Sequence, residues 1–124
     1  MKPLIAIVED SPDNRLLLQA FLEDDYRIRE YENGVLAFED LPNNPPDLVL
    51  LDISLPLMDG VDVFRNLREH ELLKTIPVVA LTAHAMSGDR EKYLALGFDA
   101  YISKPIWDEQ ILFDVISDLL KRSA

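Results

Sequence analysis

Residues 48–52 read Leu48-Val49-Leu50-Leu51-Asp52, an unbroken apolar run that ends in a carboxylate. A strand without polar alternation is typical of a sheet that is covered on both faces, as parallel sheets under helices are. The preceding Pro42-Asn43-Asn44-Pro45-Pro46 cannot continue a helix and delivers the chain extended into this strand, residues 47–51. The stretch therefore predicts a buried strand that presents Asp52 at its end.

Three other apolar runs end next to residues suited to phosphoryl chemistry. They are Leu4-Ile5-Ala6-Ile7-Val8 before Glu9 and Asp10, Val78-Val79-Ala80-Leu81 before Thr82, and Ala100-Tyr101-Ile102-Ser103 before Lys104 and Pro105. The carboxyl ends of parallel strands meet at one edge of an open α/β sheet, where ligands bind. We therefore expect the polar residues that follow these runs to converge.

Segments with helical features separate the strands. In the first, Ser11 is the expected N-cap and Pro12 the first helical residue, and Leu17, Ala20 and Phe21 are predicted to form the buried face. Polar and apolar residues alternate over residues 27–31, as in an edge strand, and a short helix is predicted to follow through Leu41. The later helices are marked by Val61, Phe64 and Leu67, by Ser87 to Gly97, and by Leu112, Val115, Ile116 and Leu119.

Five strand–helix units, with a last strand at residues 99–103, predict an α/β fold. The expected architecture is a flavodoxin-like (βα)5 three-layer sandwich with five parallel strands in the order 2-1-3-4-5. A chain of 124 residues that is 48% hydrophobic is sufficient for one core, so we expect a single domain over residues 1–124.

Composition excludes several classes of function. The chain has no cysteine, which rules out disulfides, thiolate catalysis and cysteine-based zinc sites. Its 23 acidic and 12 basic residues give a net charge of −11, which opposes direct binding to nucleic acid. Neither a leader pattern nor a membrane-length apolar stretch occurs, so we expect a cytoplasmic protein without membrane insertion.

Three carboxylates at one point repel one another unless a cation neutralises them. Hard oxygen ligands at a partly hydrated site favour Mg²⁺, with Mn²⁺ as a substitute. Glu9, Asp10 and Asp52 therefore predict a divalent-metal site, although each acid taken alone is explained as well by a helix cap or a solvated side chain. A lysine and a hydroxyl, such as those of Lys104 and Thr82, suit the charge of a transferred phosphoryl group.

Five ordered segments resemble the receiver domain of two-component response regulators, and the resemblance covers essentially the whole chain. The segments are Ile7-Val8-Glu9-Asp10, Leu50-Leu51-Asp52-Ile53, Leu55-Pro56-Leu57-Met58-Asp59-Gly60, Leu81-Thr82-Ala83, and Gly97-Phe98-Asp99-Ala100-Tyr101-Ile102-Ser103-Lys104-Pro105. The resemblance implies that Asp52 is the phosphoacceptor, with Glu9 and Asp10 as the acidic metal pair. The backbone carbonyl of Ser54 would complete the metal coordination.

The same resemblance implies roles for residues at the ends of the last two strands. Thr82 would be the switch hydroxyl and Lys104 the phosphate-contacting lysine. Tyr101 would be the switch aromatic that turns inward when Thr82 moves, and the Lys104-Pro105 bond becomes a candidate for a cis peptide, although base rates alone favour trans.

The implied partners are a sensor histidine kinase or a histidine phosphotransfer protein as phosphoryl donor, and a downstream target protein. The domain would be a monomer or a phosphorylation-dependent dimer. It would catalyse its own phosphorylation and dephosphorylation and would not be a metabolic enzyme. The chain would be a stand-alone regulator or a receiver cut from a hybrid histidine kinase.

Two other classes stay open on the residues alone. A metal-dependent phosphatase of the haloacid dehalogenase type also uses an aspartate at a strand end, but it requires a second aspartate where this chain has Ser54. A flavodoxin-like module that binds a nucleotide or a flavin requires a glycine-rich turn where this chain has Glu9-Asp10-Ser11-Pro12.

Overall fold

The computed structural model of the protein describes residues 2–83, 88–104, 106 and 108–123. Strands and helices alternate along the chain. The strands are β1 (Leu4–Val8), β2 (Arg27–Tyr31), β3 (Leu48–Asp52), β4 (Val78–Thr82) and β5 (Ala100–Ser103). The helices are α1 (Pro12–Leu22), α2 (Gly34–Asp40), α3 (Gly60–Glu69), α4 (Asp89–Leu96) and α5 (Glu109–Ser123). None of these described helices is long and apolar enough to cross a membrane.

The predicted elements are present, with small differences at their ends. Strands β3 and β4 each include the polar residue that follows the apolar run, namely Asp52 and Thr82, and β5 begins at Ala100. Ser87, predicted as a helix start, and Pro105, half of the candidate cis peptide, lie outside the described residues.

The five strands form one parallel sheet in the order β2-β1-β3-β4-β5, which confirms the predicted topology. The pairing sets the polar strand ends side by side. Val8 is opposite Leu51, Asp52 is opposite Leu81, and Thr82 is opposite Ser103. Residues just beyond β1, β3, β4 and β5 therefore share one edge of the sheet, where the sequence predicted a site.

Alternate residues of the central strands point to opposite faces of the sheet, and each face is covered by helices. One core contains Val8, Leu51 and Ala80 and packs against residues of α2, α3 and α4. The other contains Ile7 and Leu50 and packs against α1 and α5. Burial on both faces explains why these strands lack polar alternation, and it produces the predicted three layers.

The prediction for the buried face of α1 was wrong for Leu17 and Ala20 and only partly right for Phe21. Leu18 and Leu22 are buried against the sheet, while Leu17 is 40% exposed and Ala20 is exposed. Phe21 packs only partly against the core. The sequence has three consecutive leucines at residues 16–18, and neighbouring positions on a helix differ by about 100° in direction, so the periodicity alone did not identify the inward leucine.

Local signals fix where the helices begin and end. The Ser11 hydroxyl accepts a hydrogen bond from the Asn14 backbone nitrogen at 3.3 Å, which confirms the predicted N-cap of α1. Asn33 and Asp59 cap α2 and α3 in the same manner. Gly97 ends α4 with φ of 115°, a left-handed conformation that glycine adopts without strain.

The loop after β3 is closed by a tight backbone contact at Gly60. The Gly60 nitrogen donates to the Ile53 carbonyl at 2.9 Å. A Cβ atom on Gly60 would collide with the Asp52 carbonyl oxygen and would lie 2.6 Å from the Ile53 Cα atom. Only glycine therefore lets α3 start this close to the end of β3.

We predict that Gly60→Ala lowers the free energy of unfolding by about 2 kcal/mol, because backbone atoms of β3 must move to admit the methyl group. Urea denaturation measures the effect. Gly88→Ala is the matched control: no described heavy atom lies within 4 Å of its added Cβ, so only the strain of its left-handed φ of 89° remains. That strain amounts to about 1 kcal/mol. A Gly60→Ala loss no larger than that of the control would contradict the prediction.

Candidate functional site

Two buried carboxylates and one lysine lie together at the carboxyl edge of the sheet. The Lys104 Nζ atom is 2.6 Å from Glu9 Oε1 and 3.3 Å from Asp52 Oδ2. The side chains of Glu9 and Asp52 are only 1% and 4% exposed, and that of Lys104 is 12% exposed. The three residues follow or end β1, β3 and β5, so the strand register creates this contact between distant parts of the chain.

Backbone and side-chain donors hold the two buried carboxylates in place. Glu9 Oε2 accepts from the Ser11 nitrogen at 3.1 Å, and Glu9 Oε1 accepts from Asn14 Nδ2 at 3.4 Å. Asp52 Oδ1 accepts from the Ser54 nitrogen at 3.1 Å. Both carboxylates are thus oriented by the residues that follow their own strands, and an oxygen of each also contacts Lys104.

Asp10 completes a cluster of three acids. Carboxylate oxygens of Glu9, Asp10 and Asp52 all lie within 4.8 Å of one another. Asp10 is exposed, and no described donor is hydrogen bonded to its carboxylate. Three negative charges face one ammonium group, so the donor set is made of hard oxygens and has an excess of negative charge. This chemistry fits a hard divalent cation such as Mg²⁺.

The acids also act on the lysine. Burial by itself lowers the pKa of Lys104, but the hydrogen bond that Lys104 donates to Glu9 and the charges of Asp52 and Glu9 outweigh this effect. The net effect raises the pKa of the ammonium group above its usual 10.5. Lys104 is therefore cationic at neutral pH and supplies a fixed positive charge beside Asp52.

Thr82 lies at the same edge, at the end of β4, and is buried. The Thr82 carbonyl accepts a hydrogen bond from the backbone nitrogen of Lys104 at 2.7 Å, so the backbones that carry the two side chains are directly linked. The register puts Thr82 one residue beyond the partner of Asp52 on the neighbouring strand.

Tyr101 lies one strand further, on β5, and its side chain is only partly exposed. Its ring stacks on Tyr93 of α4, with ring centroids 5.9 Å apart and planes at 15°. The hydroxyl is buried and has no hydrogen-bond partner among the described residues. Burial raises the pKa of the Tyr101 phenol above its usual 10.0, and the charge of Asp89 adds to this effect.

The structure therefore brings Glu9, Asp10, Asp52 and Lys104 into one cluster, with Thr82 beside it. The roles assigned to these residues, to Ser54 and to Tyr101 stay predictions. Sequence reasoning missed two residues of α1, Asn14 and Arg15, that contact the acidic loop, which consists of Glu9 and Asp10. Their position in the first turn of a capped helix, directly after the two acids, was the available signal.

The sequence model of the family described as response regulator receiver domain matches residues 5–116. The chain is 40% identical over 107 residues to the polar-differentiation response regulator DivK of Brucella anthropi, covering 86% of this chain and 87% of that protein. It is 37% identical over 113 residues to the sensor histidine kinase GacS of Pseudomonas protegens, covering 88% of this chain but only 12% of the kinase.

A solved structure of a receiver domain has a similar fold. The receiver domain of the sensor histidine kinase PA1611 of Pseudomonas aeruginosa, with a magnesium ion coordinated in its active site cleft, is similar with a TM-score of 0.88 and 31% identity. The match covers 98% of this chain and 99% of that one. These findings give no support to the phosphatase alternative.

We predict that Lys104→Met destabilises the metal-free protein by about 3 kcal/mol, because two buried carboxylates lose their counter-ion. Chemical denaturation in the presence of a chelator measures this loss. Lys74→Met is the matched control, since Lys74 is paired with Glu71 at 3.0 Å in an exposed site. Such a pair is worth at most about 1 kcal/mol. Equal losses in the two variants would refute a special role of the buried pair.

We also predict that Tyr101→Phe stabilises the protein by about 1 kcal/mol, because it removes a buried hydroxyl that has no hydrogen-bond partner among the described residues. Tyr31→Phe is the counterpart, since the Tyr31 hydroxyl donates to Asp40 Oδ2 at 2.5 Å. That change removes a hydrogen bond to a carboxylate and is expected to destabilise. Thermal unfolding of both variants decides the matter, and a destabilised Tyr101→Phe protein would show that its hydroxyl is paired in solution.

Proposed function

The chain belongs to the response regulator receiver domain family of two-component signalling, and we propose that Asp52 is the residue that accepts the phosphoryl group. The observation that carries this proposal is the position of the Asp52 carboxylate. It is buried at a strand end, 3.3 Å from a lysine ammonium group and within one cluster with two further acids. Glu9 lies in the same cluster but has the tighter contact with Lys104, at 2.6 Å.

The chemistry is a transfer between two nucleophiles. A carboxylate oxygen of Asp52 attacks the phosphorus of a phosphohistidine on the donor protein. The new O–P bond forms as the N–P bond breaks, and the imidazole leaves with the electron pair of that bond. Water later attacks the acyl phosphate and returns Asp52 to the carboxylate, releasing inorganic phosphate. The domain thereby catalyses both its own phosphorylation and the later removal of the phosphoryl group, and turns over no metabolite.

The residues that would hold Mg²⁺, or Mn²⁺ in its place, are Glu9, Asp10 and Asp52 through their carboxylates and Ser54 through its backbone carbonyl. When bound, the ion supplies positive charge that offsets the repulsion between the acids and the incoming phosphoryl oxygens. Support comes from the excess negative charge of the cluster and from the magnesium ion in the related PA1611 receiver.

The other side chains would respond to the phosphoryl group. Lys104 is cationic beside Asp52 and would neutralise a phosphoryl oxygen, and the Thr82 hydroxyl would donate to another. Movement of Thr82 would shift a pre-existing equilibrium of the surface that includes Tyr101, through a direct backbone link between β4 and β5. The altered surface would then bind the downstream target.

The donor would be a sensor histidine kinase or a histidine phosphotransfer protein in the cytoplasm. The relatives include DivK, of which the match spans most of the length, and GacS, of which it spans a small part. Both a single-domain regulator and a receiver within a hybrid kinase are therefore consistent with the comparisons. In either setting the domain would receive the phosphoryl group and pass the signal by docking, as a monomer or as a phosphorylation-dependent dimer.

We predict that incubation with acetyl phosphate and Mg²⁺ adds one phosphoryl group to the wild-type protein and none to Asp52→Asn. Intact mass after rapid acid quenching detects the adduct. Asp47→Asn is the matched control, because Asp47 directly precedes β3, at the end opposite to Asp52, and its carboxylate accepts from the Leu4 nitrogen at 2.7 Å. That variant is expected to be phosphorylated like the wild type, and a chelator is expected to abolish the adduct.

Full phosphorylation of Asp52→Asn would overturn the assignment of the acceptor. If no sample carries an adduct, beryllofluoride in the presence of Mg²⁺ separates two explanations by NMR. Chemical-shift changes at the Ser54 amide, which is bonded to Asp52, would indicate rapid dephosphorylation. No response to either reagent would remove the phosphoacceptor proposal and favour a binding module.

A further inference from the structure

Arg15, in the first turn of α1, reaches back over the loop that carries the acidic pair. Its Nη1 atom donates to the Glu9 carbonyl at 2.7 Å and to the Asp10 carbonyl at 3.2 Å. Its Nε atom lies 3.7 Å from Glu30 Oε1 on β2. The guanidinium group thus joins a helix, the acidic loop and a second strand, and the side chain is only 19% exposed.

The two accepting carbonyls belong to the peptide units on either side of the Asp10 Cα atom. Because one nitrogen of Arg15 binds both carbonyls, it restrains the backbone angles φ and ψ of Asp10. The direction of the Cα–Cβ bond of Asp10 is thereby restrained as well. The Glu9 nitrogen is also bonded to the Tyr31 carbonyl at 3.0 Å, which ties the loop to β2 from below. Arg15 therefore fixes the part of the loop that β-sheet bonding leaves free.

This backbone restraint matters most for Asp10. The Glu9 and Asp52 carboxylates are oriented by their own hydrogen bonds with Ser11, Ser54 and Lys104. The Asp10 carboxylate has no bonded donor among the described residues, so its direction depends on the backbone that carries it. A ligand that is oriented in advance loses less conformational freedom when it binds a cation.

We propose that Arg15 is a positioning residue for the divalent cation, which it serves by aiming Asp10 through the carbonyls of Glu9 and Asp10. The inference rests on the proposed metal-dependent function. Under this proposal, the positively charged Arg15 side chain favours metal binding although it lies close to the metal ligands. Its charge alone would have the opposite effect, because it repels the metal ion. Its role is to orient, and the repulsion of its charge is reduced by Glu30.

The sign of a substitution separates the two effects. If Arg15 acted only through its charge, Arg15→Met would remove a repulsive cation and strengthen the binding of Mg²⁺. If Arg15 positions the loop, the same variant weakens it. Loss of groups that orient metal ligands typically lowers metal affinity about tenfold or more. We therefore expect the dissociation constant for Mg²⁺ to be about tenfold higher in Arg15→Met.

The test is an NMR titration of the whole chain with MgCl2 at constant ionic strength. The reporters are the amides of Ser11 and Ser54, which donate to the Glu9 and Asp52 carboxylates. Arg15→Lys is the second variant: it keeps the charge but has a single donor group, and we expect weakening that is smaller than for Arg15→Met. It also decides the question if Arg15→Met does not fold.

Arg68→Met is the matched control. Arg68 also donates to a backbone carbonyl, that of Ile76 at 2.8 Å, and also pairs with a carboxylate, that of Asp99 at 2.8 Å. It lies by the start of β4, at the opposite edge of the sheet, and is comparably shielded at 26% exposure. Its loss is expected to lower stability and to leave Mg²⁺ affinity unchanged.

Unchanged or stronger Mg²⁺ binding by folded Arg15→Met would overturn the positioning role while leaving the proposed function intact. An equal loss of affinity in Arg68→Met would overturn it too, because the effect would then follow from general destabilisation. If the wild-type protein itself binds no Mg²⁺, the metal-dependent function fails, and the inference fails with it.

Discussion

Glu9 and Asp52 are buried carboxylates that share the ammonium group of Lys104, and the properties of the site follow from this shared charge. An ionised group away from water is tolerated only when it is paired and hydrogen bonded. One lysine satisfies one unit of charge, and Asp10 adds a third acid at the rim. The fold therefore holds an uncompensated negative charge, which favours binding of a cation before any phosphoryl group arrives.

The parallel sheet is what makes this arrangement available, and it is also what the sequence predicted best. Which strands end in polar residues can be seen from the apolar runs, and the convergence of those ends depends only on strand order. Packing details were less accessible. Leu17 and Leu18 are equivalent in a pattern of apolar residues, and only contact with α1's neighbours buries Leu18. Strand order also predicted that Lys104 meets the acids, but the contact of Arg15 was missed because it is made to the backbone carbonyls of Glu9 and Asp10, which no pattern of side chains reveals.

Tyr101 is held differently from the charged residues. Its ring stacks on Tyr93, which in turn meets Phe98 edge-on, and Phe98 stacks on Phe64 of α3 with centroids 4.0 Å apart. Contacts of this kind depend on buried area and ring geometry, and the Tyr101 hydroxyl adds no bond to a described residue. Among the described residues, the Tyr101 ring is therefore held by packing and by no hydrogen bond of its hydroxyl. That property would suit the proposed response of the surface around Tyr101 to a small displacement of Thr82.

A phosphoryl group on Asp52 would compete with Glu9 for Lys104. The contact between Lys104 and Glu9, at 2.6 Å, is the shorter of the two that the lysine makes, so its movement toward a phosphoryl oxygen would weaken the better bond. Glu9 is almost wholly buried and is destabilising if left without a counter-ion. A cation retained beside Glu9 would remove that penalty and let Lys104 move. If the proposed function holds, the metal site would act in two steps, in the phosphoryl transfer and in the conformational response that follows it.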